Sequence, residues 1–333
     1  MGKNQHYVPQ FYLKLFSNNS HSIGAWNEKT NKIIEHASII NMASKNNLYG
    51  ENQIVEKWLS SLESKWSVLI HNVIADSKIN SFKDYTLMLF FIAISHARTL
   101  RIAEESTYEL NYMANLLSKG KHLGKDIEEL KLYMDIPNLV PLQLAPEITT
   151  SLSDLRYIII ENFTSACFIT SDSPVCLYNK LYAVRRYHRN YGFGAGGLII
   201  LLPLSPQKCL CLFDAMVYNC GGLYSFRLKS SSQATEINKL IARNAFRNIF
   251  FNNQQKRSYI NNIVKYHKHI DLKDYVKELF NGSIIQTGEE RIHEIYKLDF
   301  LEIKEEFLKM ELPMHMGGLT RPYAEHWINK RLK

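Results

Sequence analysis

The chain has 333 residues, 46% of them apolar and 12% aromatic, and its 40 Lys and Arg outnumber 32 Asp and Glu for a formal net charge of +8. This composition excludes a disordered or fibrous chain and supplies core for one large domain or two smaller ones. The longest apolar stretch, Tyr85 to Ile94, is roughly half of the 20 or so residues that span a bilayer, so a soluble, cytoplasmic protein without a membrane partner is expected.

Residues 1 to about 50 read as extended and irregular. The opening MGKNQHYVPQFYLKLFS is neither a polar leader nor an unbroken apolar signal, and it predicts an ordered start. Ile23 to Asn27 and Lys32 to Ile34 predict a short hairpin turning at Glu28 to Asn31. Val55, Leu59, Leu62, Trp66 and Leu69 or Ile70 recur at helical spacing, giving a helix over Ile54 to about Ala75. Ser81, with Asp84 three residues on, predicts the cap of a second helix from Phe82 to about Glu105, apolar nearly all round and therefore central. Further helices are expected over Thr107 to Leu117 and near Asp126 to Met134.

Strands follow. Arg156 to Glu161 and Cys167 to Thr170 flank a turn at Asn162 to Ala166 and read as a hairpin. The glycine-rich Gly192 to Gly197 lacks the phosphate-loop lysine and precedes a strand rather than following one, which makes it a lid or a tight lead-in rather than a nucleotide cradle. Leu198 to Leu202, bounded by Pro203, predicts a buried strand, and Cys209 to Phe213 another. Ser232 is a candidate cap for a helix over Gln233 to Arg247. The five cysteines, Cys167, Cys176, Cys209, Cys211 and Cys220, are odd in number and lack paired CxxC spacing, so free thiols are expected rather than a disulfide or zinc framework. Helices precede strands, so the fold class is α+β: an N-terminal extended segment and a helical bundle packed on a central, mostly antiparallel sheet. One domain over 1–260 and a helical C-terminal extension over 261–333 complete the expectation.

Several positions invite chemistry. Val8 and Pro9 stiffen the backbone after His6, which suits an imidazole held for acid–base work, or one that simply locks the N-terminus to the core. Asp172, in Thr170-Ser171-Asp172 at the end of an apolar run, is a candidate catalytic carboxylate or a turn-forming residue bonded near Pro174. Glu56 and Glu63 share a helix face, and Glu63 is either an inward catalytic carboxylate or the ion-pair partner of Arg98, a charge that an apolar helix cannot leave unpaired. Arg98 and Arg101, one turn apart, are candidates to clamp a phosphate. Tyr7 and Ser171, beside His6 and Asp172, are assigned to the same substrate. Arg185, Arg186, His188 and Arg189, interleaved with Tyr182, Tyr187 and Tyr191, form either a phosphate- and base-binding patch or an exposed basic loop. His267 and His269 alternate in a basic loop and are given no metal. In the tail, Tyr323 and Trp327 lie near Arg321, Arg331 and Lys333, as a partner-docking segment or a closure of the fold.

HYVP (His6 to Pro9) followed by YLKLF (Tyr12 to Phe16) resembles the start of a bacterial family known as domain of unknown function 4238. Tyr49, VEKWLSSLE (Val55 to Glu63), HARTLR (His96 to Arg101), TSDSPV (Thr170 to Val175) and PLSP (Pro203 to Pro206) follow in the order that family shows, over roughly residues 4 to 250. The resemblance implies an arrangement of motifs and no mechanism; a setting in phage–bacterium conflict is an expectation only.

From the residues, the leading expectation is a nuclease-like or nucleotide-processing effector. His6 would be the acid–base group, and Asp172 and Glu63 carboxylates able to hold Mg²⁺ or Mn²⁺. Arg98, Arg101, Arg185 and Arg186 would take phosphate. The alternative is a non-catalytic sensor that binds a ligand or nucleic acid, with a protein partner at the C-terminal region. A third reading makes the motifs core devices.

Overall fold

A computed structural model describes residues 4–120, 131–187, 192–272, 294–311 and 319–321. Its first strand, β1 (Asn4–His6), leads into the short helix α1 (Gln10–Lys14). The hairpin β2 (Ser22–Asn27) and β3 (Lys32–Ser38) and a short strand β4 (Ser44–Asn46) follow. Three long helices come next, α2 (Ile54–Asp76), α3 (Phe82–Ala97) and α4 (Leu100–Gly120), then the short α5 (Leu139–Gln143) and α6 (Ala145–Ser151). The middle of the chain supplies β5 (Arg156–Glu161), β6 (Thr170–Ser171), β7 (Cys176–Tyr178), α7 (Lys180–Val184), β8 (Ile199–Ser205), β9 (Lys208–Phe213), β10 (Tyr218–Cys220) and β11 (Ser225–Arg227). Last come α8 (Ser231–Asn244), β12 (Asn248–Phe251), α9 (Arg257–Ile263), β13 (Leu301–Ile303) and α10 (Glu305–Lys309).

The centre is a five-stranded sheet in the order β11-β5-β9-β8-β7, antiparallel except where β11 runs parallel to β5. Successive side chains on a strand point to opposite faces. Ile159, Ile200, Leu202, Leu210 and Leu212 accordingly face one apolar core, built with the N-terminal segment and α1 to α3. Ile158, Ile160, Ile199, Leu201, Cys209 and Cys211 face a second core with α7, α8 and α9. Burial on both faces is why these strands read as unbroken apolar runs. A second, four-stranded antiparallel sheet, β3-β2-β12-β6, joins the N-terminal hairpin to the far end of the chain. The fold is α+β and antiparallel-dominated, as the order of helices and strands implies. Tyr296, Leu298, Phe300 and Leu301 enter the second core, and β13 pairs with β10, so the described part of the C-terminal stretch contributes a strand as well as a helix.

The hairpin turning at Glu28 to Asn31 forms, and Trp26 Nε1 donates to Asn31 Oδ1 across it at 3.0 Å. Ser81 caps α3, accepting from the Asp84 amide. All five cysteines are free thiols. Gly197, at φ +75°, makes the tight lead-in to β8: its amide donates to Asp214 Oδ2, and Asn179 Oδ1 would lie 3.0 Å from any Cβ there.

Two expected elements differ. The long central helix ends at Ala97, and α4 leaves at a bend of 57°, because the main chain of the break is bonded elsewhere. Asn138 Nδ2 donates to both Ala97 O and Thr99 O. The hairpin expected over Arg156 to Thr170 does not form. Its second half gives its amides to Pro206 O and Asn238 Oδ1, and only Thr170–Ser171 becomes a strand, in the other sheet. The helix expected near Asp126 to Met134 lies largely outside the described residues, as do His188, Arg189 and Tyr191 and, in the tail, Tyr323, Trp327, Arg331 and Lys333. Among the described residues no single helix is long and apolar enough to cross a membrane; α3 and α4 pass that test only as a bent pair, and α3 is largely buried.

Candidate functional site

The bend between α3 and α4 gathers the sequence motifs. On one side β1, paired with β4, delivers His6 into the core, and Pro9, at φ −58°, starts α1 directly behind it. His6 Nε2 donates to Ile40 O at 3.0 Å, which fixes the tautomer and leaves Nδ1 to accept from Gln10 at 3.4 Å. Burial, opposed by the Ile40 bond, holds this imidazole below its ordinary value. Arg98, 1% exposed, donates to Glu63 Oε1 at 2.8 Å, to His6 O at 2.6 Å and to the Tyr49 hydroxyl at 3.4 Å; that hydroxyl donates in turn to Arg98 O at 3.0 Å. Burial pulls the guanidinium down, and Tyr49 and Glu63 more than offset it, so Arg98 stays charged. The Tyr49 phenol is pushed up to about 12 by burial. Glu56, one carboxylate along the same face of α2, is pushed up by burial, and its Oε2 has no hydrogen-bond partner.

Asp172 stands elsewhere. Its buried carboxylate accepts from the amides of Phe246 (2.8 Å), Arg247 (2.8 Å) and Asn248 (2.9 Å) and from Asn248 Nδ2 (3.2 Å), so it clamps the start of β12. Burial pushes this carboxyl up while those four donors pull it down. The local turn near Pro174 belongs to Ser171 instead, whose Oγ accepts from the Ser173 amide. Tyr7, 4% exposed, has its phenol pushed up by burial and by the Asp172 charge.

The two arginines expected to act as a clamp diverge. Arg98 turns to the N-terminal segment, while Arg101 pairs with Glu105 at 2.7 Å and lines a cavity of about 10 Å³, the size of a single water. HARTLR and TSDSPV meet there, through His96, Thr99 and Arg101 on one side and Ser173 and Val175 on the other; Ser173 Oγ has no hydrogen-bond partner. His96 packs edge-on against Phe193, and burial with the neighbouring Arg101 charge pushes its imidazole down to about 4. Arg185 spends its guanidinium on Phe307 O and Met310 O at the end of α10, and Arg186 is held at φ +49°. The structure thus brings His6, Glu63 and Arg98 together, places Asp172, Ser171, Arg101 and Arg185 on other partners, and sets Arg186 in the left-handed turn after α7. Among the described residues no three of His, Cys, Asp or Glu converge as a metal cage, and Asp172 and Glu63 share no hydrogen-bond partner.

A larger cleft, of about 330 Å³, opens between α4 and the start of β12, with Glu104, Tyr108, Phe246 and Arg247 on its walls and Glu28 and the segment His269 to Leu272 closing it. Arg247 pairs with Glu104 at 2.6 Å and lies 4.6 Å from the Phe246 ring. Glu28 Oε1 takes His269 Nδ1 at 2.5 Å and stands 3.4 Å from His267 Nε2. The Glu28 amide donates to Arg247 O, which ties the two walls together. None of these side chains was assigned a role from the sequence. The one signal was the spacing of Glu104 and Tyr108, four residues apart and so on one face of α4.

A family model described as "Protein of unknown function (DUF4238)" matches residues 4–255, a span that holds His6, Glu63, Arg98, Asp172 and Arg247 and ends ahead of His267 and His269. No curated protein and no solved structure matches the chain.

Proposed function

The chain belongs to the DUF4238 family of proteins of unknown function, and from that premise we propose that it is a non-catalytic, ligand-binding sensor module whose ligand occupies the cleft between α4 and β12. The observation that carries this reading is the Asp172 clamp: a residue of the TSDSPV motif fixes, through three backbone amides, the segment that carries Phe246 and Arg247 into the cleft. The motif serves as the scaffold and the cleft as the site. A volume near 330 Å³ lies at the small end of ligand pockets and suits a nucleoside or mononucleotide. Tyr108 offers a face for a base, Glu28 and Glu104 accept from sugar hydroxyls, and Arg247 receives one phosphate. Three carboxylates, Glu28, Glu104 and Asp271, against Arg247 and His269 disfavour a polyphosphate by simple charge repulsion.

The hydrolytic reading is carried less far. Both ring nitrogens of His6 are already hydrogen-bonded and Arg98 is consumed internally, which leaves neither poised on a substrate.

Thermal and urea unfolding with nucleosides, mononucleotides and triphosphates tests the proposal. Bound ligand at a hundredfold over its dissociation constant adds about 2.7 kcal/mol, with monophosphate preferred to triphosphate and the gain lost in Tyr108→Ala and Arg247→Ala. Incubation with RNA and DNA, with Mg²⁺, Mn²⁺ or chelator, is the companion arm. Cleavage by the wild type that disappears in a folded His6→Ala variant would replace binding by catalysis.

A further inference from the structure

The edge of the five-stranded sheet carries a second surface, independent of the cleft. There β11 is the outermost strand, and its outer side has no strand partner among the described residues. Two turns at this edge each lift an apolar side chain into solvent and hold it rigidly. Phe163, 65% exposed, sits in the turn after β5. The buried Asn162 side chain closes that turn, accepting from Thr164 N and Oγ1 and donating to Ala166 O. Leu223 and Tyr224, 65% and 54% exposed, sit in the turn before β11, where Ser225 O would lie 2.3 Å from any Cβ on Gly222. Only glycine fits that approach. Tyr224 O then accepts from the Ile159 amide, locking the turn to β5.

The exposed rings have cations and further rings beside them. Arg227 lies 4.7 Å and Lys208 5.9 Å from the Phe163 ring centroid. Tyr224 continues a row of rings, 6.4 Å from Tyr157, which is 5.7 Å from Tyr85, with interplanar angles of 35° and 33°. One helical turn before Tyr85, Phe82 is 80% exposed. The acid within this surface, Glu161, is neutralised: it accepts from Ser77 and pairs with Lys208 at 2.5 Å. In strand register Ser225 lies opposite Ile159 and Arg227 opposite Glu161, so Tyr224 and Phe163 are about five residues, roughly 16 Å, apart along the edge. That separation accommodates a short run of bases at about 3.4 Å per stacked step.

We propose that this edge binds single-stranded nucleic acid, with bases stacking on Tyr224 and Phe163 and Arg227 meeting the backbone between them. Rings rigidly presented to solvent and interleaved with cations are what sequence-tolerant single-strand binding requires, and a chain of net charge +8 supplies the long-range attraction. A protein partner would gain from the apolar groups alone and would draw nothing from the Arg227 guanidinium beside Phe163.

The test is fluorescence anisotropy of the full chain with a labelled twelve-nucleotide poly-dT or poly-U strand across a range of salt. The variants are Tyr224→Ala, Phe163→Ala and Arg227→Gln, all at exposed positions, with Lys32→Gln, an exposed cation on β3 of the other sheet, as the control. Each aromatic variant is expected to weaken binding by about 5- to 100-fold. Arg227→Gln is expected to reduce the salt slope by about 0.7, and Lys32→Gln to leave binding unchanged. Any of three results overturns the proposal: no binding at low salt, binding indifferent to all three edge variants, or a duplex bound as tightly as the single strand. Sedimentation that shows self-association abolished by the same variants, with no oligonucleotide bound, would reassign the edge to a second copy of the chain. Excess mononucleotide, which would fill the cleft, is expected to leave strand binding in place, so the two sites fail separately.

Discussion

Arg98 and Arg247 each meet one carboxylate at hydrogen-bond distance, 2.8 Å to Glu63 and 2.6 Å to Glu104, yet their side chains are 1% and 42% exposed. The first has exchanged water for a carboxylate, a carbonyl and a phenol. The second keeps a wet edge and a single partner. A guanidinium held by three partners and shut off from solvent has no face open to a ligand, and removing it strands its neighbours. An exposed pair is worth little to the fold, and its cation can change partners at low cost. The residues that stand out in the sequence thus lie where the protein is built, and those that line the cleft lie where the sequence is plain.

The largest effect lies at the buried arginine. Arg98→Ala is expected to cost about 3–5 kcal/mol, because Glu63, Tyr49 and the His6 carbonyl lose their shared donor; a urea midpoint within error of wild type would show the knot to be ornamental.

His96, also buried at the bend between α3 and α4, makes stability depend on pH. Its imidazole is held down at about 4 in the folded protein against 6.5 ordinarily. As pH falls below about 6.5 the unfolded chain takes up a proton that the folded protein refuses. Stability from this group is therefore complete above 6.5 and is lost progressively on acidification toward 4, by at most about 3 kcal/mol. Urea midpoints at pH 7 and pH 4.5 should differ less in His96→Gln than in wild type; equal slopes would contradict the assignment.

The smallest effect belongs to the exposed side. Arg247→Ala should change stability by less than about 1 kcal/mol, the ordinary worth of an exposed ion pair, while removing the ligand response. A loss of several kcal/mol would place Arg247 with Arg98 among the structural residues.

Much of the fold is local in origin and was legible for that reason. Ser81 caps its helix through a bond three residues away, and the run Leu198 to Leu202 lies in a strand buried on both faces because two cores need it. The Glu63–Arg98 pair followed from the cost of a lone charge in an apolar helix. What escaped depends on distant partners. Asp172 bonds amides 74 to 76 residues on, and the helix breaks at Arg98 because Asn138, Tyr49 and Glu63 hold the chain there. The cleft draws on four separate segments, and only Glu104 and Tyr108 among its residues share a helical spacing, so composition gave no warning of it.

The pairing of β2 with β12 carries a consequence for how the protein is made. Ala25 lies opposite Phe250, and the Tyr12 hydroxyl, at the heart of the first core, bonds Thr170 and Pro203 O. During synthesis at about 5–20 residues per second, β2 therefore waits roughly 10–45 s for its neighbour to be made. Through that interval the N-terminal hairpin has both edges open, one of them the edge that β12 later covers, and half a core, so the nascent chain, rather than the finished protein, is the form most exposed to aggregation.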